Sequence, residues 1–548
     1  MNRIPNRNLG NPWISSGDGE FAGVKGQEEG GRGEKAGQER AMTSGLSDEA
    51  ILEDFLGHFG MLAAVPRGSG NERAVSDRLK AWAEGLGFAA RRNAVWNLVF
   101  DVPATPGLEG LPLTALQAHL DMVCSAREGQ SRDPARDGVR PIADRAAGTL
   151  RADGTTLGAD DGAGVAVIMG IAEGKMAHGP LRVLLTADEE RGMTGALAVT
   201  AEDLRGVKRL VNLDSEESDA VTVSSAAAVE FWATSGGAGA APSGDVALKI
   251  ALSGAAGGHS GMEIGDGKCN GIVALAETLS RLGGVVAFEL ARFGGGTANN
   301  AIPAKAEAVV VVEAGERAKV REFVAAREAE LRAAHAKTDP GLSLRVEETP
   351  MPGAVMAGGA VAGLLRYATE SINGVHTMSR AMEGLVESSS NLGRLEAGPE
   401  GIRCVQMARS SDAGKLREIE AFQRALAAEC GLAFEASGGA KAWPVRPDSE
   451  LVPRLREVYR KLTGKELRVT AVHAGLECGV FADLDGDIDI VSIGPDISFA
   501  HSPDETLRLE SVPLLWRVLE GVLGGAGEKA GERAARRPPA QTATGAEV

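Results

Sequence analysis

The sequence predicts an α/β sheet with helical crossovers, interrupted by an inserted α+β domain. Three observations predict it. Short apolar runs alternate with helix-like stretches in the first half, the texture changes between 225 and 438, and the first rhythm returns near the C-terminus.

The elements follow in chain order. Residues 1–45 are rich in Gly, Glu, Lys, Arg and Gln (GVKGQEEGGRGEKAGQER) with no apolar period, so a disordered extension is expected. Met42 is a candidate start codon, because Ser47 can cap the helix DEAILEDFLGHFGMLAAV soon after it. The outer domain begins at 46 and runs to 224, with LPLTALQAHLDM, GAGVAVIMGIAEGKM, LRVLLTADEE and RLVNLDSEE as alternating strands and helices. From 225 to 438 the strands VALKIALSG, KAEAVVVVEA, LSLRVEE and GIRCVQMARS alternate with amphipathic helices such as RAKVREFVAAREAELRAAHAK and EIEAFQRALAAECG. That span is long for one small α+β unit and the pattern runs twice, so a duplicated ferredoxin-like unit fits it. The outer domain resumes over 439–525 with LVPRLREVYRKLTG and IDIVSIG, and 526–548 is a second low-complexity tail.

Composition narrows the function. A chain of 548 residues, 43% hydrophobic, can bury a large core, and a globular enzyme is the default class. The formal charge of -17 argues against nucleic acid and against an anionic membrane surface as partners. No signal-peptide h-region and no long apolar run occurs, so neither export nor a membrane span is expected. The 5 cysteines are scattered, without a Cys-x-x-Cys spacing, which supports neither a disulfide framework nor a thiolate metal site and fits a reducing cytoplasm.

The polar residues at strand ends carry the chemistry. Apolar runs lead into His119 and Asp121, into Asp188-Glu189-Glu190, into Asp214 and into His501, while Asp160-Asp161 lies in GTTLGADDGAG just before a helix. In open α/β sheets the ligand site lies beyond the carboxyl ends of the strands, so these elements can converge there. His119, Asp160, Glu190, Asp214 and His501 make a mixed nitrogen and oxygen set suited to two Zn²⁺ per chain, with Co²⁺ or Mn²⁺ as substitutes. Asp121 shares a strand face with His119 and suits a carboxylate behind the imidazole. Adjacent Glu189 and Glu190 allow one to bind metal while its neighbour takes a proton from a water. Any one strand-end carboxylate is more often a cap or surface charge; the joint pattern is what argues for a site. Asp153, Asp219, His58, His178 and His335 lack that context and read as structural or solvated.

A second cluster lies in the insert. His259 sits in the glycine-rich turn GGHSG, and Asn300, the run Glu387–Asn391 and Arg409 follow. A peptide presents a carboxylate, which suits Arg409, and a carbonyl that becomes an oxyanion, which suits His259 as donor.

The motifs QAHLDMV, GTTLGADDGAG, LTADEERGM, NLDSEE, GGHSG, NAIP, VESSSNLG, HAGLECG and GPDISFAHSPDE, in this order, resemble the aminoacyl-histidine dipeptidases (cytosol non-specific dipeptidases) of the M20 metallopeptidases, from about 48 to 525. The resemblance implies a di-zinc catalytic domain with a mixed central sheet flanked by helices, interrupted by a lid domain. It implies that Asp160 bridges the metals, His119 and Asp214 bind one, Glu190 and His501 the other, with Glu189 as general base and Asp121 behind His119. His259 and Arg409 would meet the scissile carbonyl and the substrate carboxylate, and Glu477 in HAGLECG would receive the amine. The implied substrates are unblocked dipeptides, including Xaa-His and carnosine-like ones. An N-acyl-amino-acid deacylase, a tripeptidase and a non-catalytic peptide-binding homologue are the alternatives, and both a monomer and a homodimer are compatible with the long insert. The sequence departs from the family at Asp161, which replaces an Asn and leaves Asp160 and Asp161 both open as the bridge, and at Gly265 and Asn299, which replace a His and an Arg.

Overall fold

The computed structural model describes residues 45–524 apart from 381, 383, 439 and 440. The expected disordered segments 1–45 and 526–548 lie outside the described residues, Gly45 excepted. The chain divides into two compact units. One holds Val223–Val445 and Ala471–Asp483, and the other holds the described residues before and after them together with Arg446–Thr470. The segment Ala471–Asp483 therefore groups with the insert, not with the outer domain where the expected boundaries put it. The reason is local: the Ala226 N–H donates to the carbonyls of Val472 and Ala474, stitching this segment to the start of the insert.

The outer unit is built on an eight-stranded sheet. Its centre is four parallel neighbours in the order Leu181–Thr186, Thr114–His119, Arg209–Asn212 and Asp489–Ser492, with Leu98–Val102 antiparallel at one flank. Thr114–His119 is buried at every residue, as a central parallel strand covered on both faces must be. In register, His119 stands beside Thr186, so these two strands finish level, while Arg209–Asn212 ends beside Gln117 and its continuation carries Asp214. Just below that edge the buried Gln117 side chain donates to Thr186 Oγ1 at 3.0 Å and accepts from Asn212 at 2.5 Å, a polar rung tying three strands together.

Helix Asp48–Ala63 starts where Ser47 accepts the Ala50 N–H at 3.2 Å and buries Ile51, Leu52, Phe55, Phe59 and Leu62. It packs on Ala159–Gly170 and on Ser511–Leu523. A separate four-stranded sheet pairs Thr506–Arg508 with Thr149–Ala152, which brings the loop carrying His501 to the segment leading into Asp160.

The insert holds one nine-stranded antiparallel sheet. Val246–Ser253, helix Gly271–Leu282, Glu289–Gly295, Ala306–Val312, helix Arg317–Ala334 and Ser343–Glu348 form a complete βαββαβ set. A second set begins earlier in the chain with Ala227–Gly236 and resumes with helix Gly358–Glu370, Val386–Gly398, Gly401–Ser410, helix Ala413–Glu429 and Ala433–Gly438. The ferredoxin-like unit is thus duplicated, with one copy nested inside the other. The copies join where Phe293 pairs with Ala397 across antiparallel strands. One continuous core, including Leu248, Leu275, Leu290, Val310, Leu364 and Leu392, lies between this sheet and its helices.

Candidate metal centre

In the outer unit His119, Asp160, Glu190, Asp214 and His501 meet. His119 Nε2 lies 2.9 Å from Asp160 Oδ1 and 3.3 Å from Asp214 Oδ1. His501 Nε2 lies 3.0 Å from Asp160 Oδ2 and 2.9 Å from Glu190 Oε2. Two overlapping groups result, His119–Asp160–Asp214 and Asp160–Glu190–His501, with Asp160 common to both and one carboxylate oxygen turned to each. Glu189 groups with His119 and Glu190. Asp161 points elsewhere: its carboxylate accepts the His119 N–H at 3.1 Å and the Gly164 N–H at 3.0 Å. Of the two carboxylates that the sequence left open, Asp160 is the one that faces both imidazoles.

Asp121 is fully buried beneath these groups. Its Oδ1 stands 3.5 Å from His119 Nδ1 and accepts the Glu189 N–H at 3.0 Å, while Oδ2 accepts the Glu190 N–H at 3.3 Å. One carboxylate thus orients both the imidazole and the turn that carries the two glutamates. His501 has its backbone at φ 64, in the left-handed region that a non-glycine residue enters only when its surroundings hold it there.

The electrostatics of the cluster are set by burial and crowded carboxylates. Burial favours a neutral His119, but Asp214, Asp121 and Asp160 outweigh it and lift its pKa well above the usual value. Hydrogen bonds to Asp160 and Glu190 push His501 up to about 11. Burial and the neighbouring Asp160 raise Asp214 despite His119, and burial with Asp160 nearby brings Glu216 up to about 7. Burial opposes charge on Asp121, yet His119 and the Glu189 N–H hold it down at about 2. Glu190 Oε1 is buried with no hydrogen-bond donor. Two imidazoles, crowded carboxylates and an acceptor oxygen without a donor fit divalent cations, because a positive ion relieves the repulsion and satisfies that oxygen.

The insert gathers its own set. His259 Nδ1 accepts the N–H groups of Met262 at 3.1 Å and Gly261 at 3.3 Å. An accepting Nδ1 places the ring proton of neutral His259 on Nε2, and burial with Arg409 nearby keeps the ring neutral by lowering its pKa. Arg409 is 6% exposed and among the described residues pairs with no carboxylate; Nη2 meets Met407 Sδ at 3.1 Å and Nε has no partner among them. Burial lowers its pKa to about 10, so the guanidinium stays charged at neutral pH. Gly261 sits where a Cβ would run into the His473 carbonyl and stand 3.0 Å from His259 and 3.2 Å from Arg409 Nε, so the absence of a side chain lets the three approach. Asn300 accepts the Ser260 N–H at 2.8 Å through its carbonyl and is otherwise exposed. Glu477 is fully buried at the start of helix Glu477–Leu484, within the insert's unit.

Sequence reasoning missed four residues. His473 bonds Ser389 Oγ through Nε2 at 2.8 Å, and burial with Arg409 lowers its pKa to about 4. Glu216 approaches the metal-capable cluster, and Glu505 and Arg67 hold its backbone. His473, Glu216 and Glu505 stand inside HAGLECG, NLDSEE and HSPDE, so the motifs carried a signal, whereas Arg67 stood in none. Among the residues read as structural, His178 bonds the Gly179 carbonyl, His58 pairs with Glu173, and Asp219 pairs with Arg468.

Imidazoles and carboxylates gathered at the carboxyl ends of parallel strands are what a metal-dependent hydrolase requires, and the profile of peptidase family M20/M25/M40 matches residues 115–524. The chain belongs to that family and is a peptide-bond hydrolase. It is 33% identical over 468 residues to the cytosol non-specific dipeptidase of Escherichia coli strain K12, covering 85% of this chain and 96% of that one. The crystal structure of aminoacylhistidine dipeptidase from Vibrio alginolyticus superposes with a TM-score of 0.81 at 33% identity, over 89% of this chain and 98% of its own. A Staphylococcus aureus tripeptidase shares the fold at a TM-score of 0.52 and 16% identity, over 86% of this chain and 98% of its own. Among the described residues no helix is long and apolar enough to cross a membrane.

Proposed function

We propose that the chain hydrolyses unblocked dipeptides with broad specificity, Xaa-His and carnosine-like dipeptides among them, using two divalent cations, zinc in the first instance. The observation that carries this reading is the pair of overlapping groups that share Asp160. His119 and Asp214 would hold one ion, Glu190 and His501 the other, and Asp160 both. The ions would polarise the scissile carbonyl and make water acidic enough to ionise near neutral pH. Glu189 takes the proton of the attacking water and returns it to the leaving nitrogen. Asp121 keeps His119 and the Glu189 turn in register for that transfer. Arg409 is a buried cation lacking an anion, which matches the carboxylate of a dipeptide, and neutral His259 offers its Nε2–H to the developing oxyanion. Glu477 and Asn300 complete the substrate contacts in this reading, with Glu477 taking the amine.

The names of the two relatives at 33% identity favour a dipeptidase over the deacylase and tripeptidase alternatives. The cytosolic relative, with the absence of paired cysteines, favours a cytoplasmic site of action. Turnover of β-Ala-His, Leu-Gly, a tripeptide and an N-acetyl amino acid by zinc- and cobalt-loaded protein tests the proposal. Hydrolysis of the first two is expected. Preference for the acetylated compound or the tripeptide refutes it.

A further inference from the structure

We infer that Glu505 and Arg67 are positioning residues for the metal centre: they coordinate nothing, and they set where Asp160 stands relative to His119 and His501. The inference rests on the two-cation reading above. Glu505 is 2% exposed and lies on the loop that carries His501. Its carboxylate accepts four consecutive backbone N–H groups, those of Leu157 at 2.8 Å and Gly158 at 2.9 Å on Oε2, and those of Ala159 at 2.7 Å and Asp160 at 3.3 Å on Oε1. The segment entering Asp160 is therefore wrapped around one anion, and Asp160 is held by its own backbone.

Arg67, also 2% exposed, works from the other side. Nη1 donates to the carbonyls of Leu120 at 2.9 Å and Asp121 at 2.7 Å, and Nη2 donates to the Gly158 carbonyl. Leu120 and Asp121 follow His119 directly, so the guanidinium fork joins the end of the His119 strand to the loop that Glu505 holds. Gly158 fits between them only without a side chain. Its φ is +69, and a Cβ there would stand 2.6 Å from Met122 Sδ and 2.7 Å from Arg67 Nη2. An unbroken path of hydrogen bonds and backbone thus runs from His501 through Glu505, residues 157–160 and Arg67 to His119.

A brace for general stability could be apolar, and burying two charges is costly, the more so as Arg67 Nε finds no partner among the described residues. Here the bonds described land on backbone within three residues of Asp160 or two of His119. That placement is what a device for fixing ligand spacing requires, since supporting groups around a metal govern its affinity and geometry.

The test uses full-length protein, stripped and titrated with Co²⁺. Glu505→Gln keeps the side chain's size but sets an NH₂ against N–H donors. At least one Co²⁺ is expected to bind ~10–100-fold more weakly. The visible d–d absorption should change, and kcat should fall with KM within about threefold of wild type. Asp504→Asn, an exposed neighbour paired with Arg127, should match wild type in every reading. Wild-type affinities with an unaltered cobalt spectrum in Glu505→Gln overturn the inference. Should that variant fail to fold, Arg67→Lys, which keeps the charge and loses the fork, decides by the same readings. Fewer than two Co²⁺ bound by wild type sinks the two-cation reading itself, whatever the variants do.

Discussion

Glu189 stands on a turn whose backbone Asp121 fixes through the Glu189 and Glu190 N–H groups, so its carboxylate can lose its charge without moving its neighbours. Glu189→Gln is expected to lower kcat by ~10²–10⁴ while metal content, measured by elemental analysis, stays at the wild-type level. For Arg409 the expected loss is in binding. A charge-assisted hydrogen bond contributes about 1.5–3 kcal/mol, so Arg409→Gln should raise KM for a free dipeptide roughly 10–100-fold. The same substitution should leave the KM of the dipeptide amide, which lacks that carboxylate, nearly unchanged, which steady-state kinetics on the two substrates will show. Residues of this kind were legible because strand-end His119, Asp214 and His501 stand out against apolar runs. Asp160 against Asp161 was not, because two adjacent carboxylates differ only in which backbone N–H groups each one meets.

At the scale of elements, Glu173 ties three helical segments together. It accepts Trp82 Nε1–H at 3.0 Å, meets His58 at 3.1 Å and Lys175 at 2.6 Å. Burial opposes ionisation, but Lys175, Trp82 and His58 hold its carboxyl down at about 2. A carboxyl depressed in the folded state stabilises fully above its unfolded value, roughly 4.3, and loses that contribution as pH falls towards the folded value. Glu173→Gln should therefore lower stability at pH 7 by about 1 kcal/mol after solvent screening, with the gap closing between pH 4.5 and about 2 in urea unfolding. Element types were readable from periodicity, and the doubled strand–helix pattern was visible too. The nesting was not. Strand Ala227–Gly236 is separated from its helix Gly358–Glu370 by an entire βαββαβ set, and local periodicity carries no information about which distant segment a strand will join.

For the whole molecule, the candidate cation cluster lies in one of two compact units, so metal removal should act selectively. Chelation should lower the thermal transition of the outer unit and leave that of the insert in place, with zinc restoring the first. An ion present at a hundredfold its Kd contributes about 2.7 kcal/mol, enough for differential scanning calorimetry to resolve. The position of Ala471–Asp483 in the insert's unit was hidden from the sequence, since it follows elements of the outer unit and is recruited through distant partners, the Ala226 N–H and Ser389 among them.

The nested copy also makes the insert divisible. Gly239 pairs with Met356 and Ala240 with Val355, so the chain enters and leaves the inner copy at adjacent points. Residues 246–348 form a cassette whose removal leaves two neighbouring ends for a short linker to close and a complete outer copy behind. Its loss would remove Glu289–Gly295 from Leu395–Ala397 and open that part of the seam as an edge, while Gly374–Met378 stays paired with the other end of strand Val386–Gly398. An uncovered edge recruits another strand, so the shortened chain is expected to self-associate more than the full-length chain, whose sheet ends at Ser343–Glu348 and Ala433–Gly438, a difference that sizing chromatography would register.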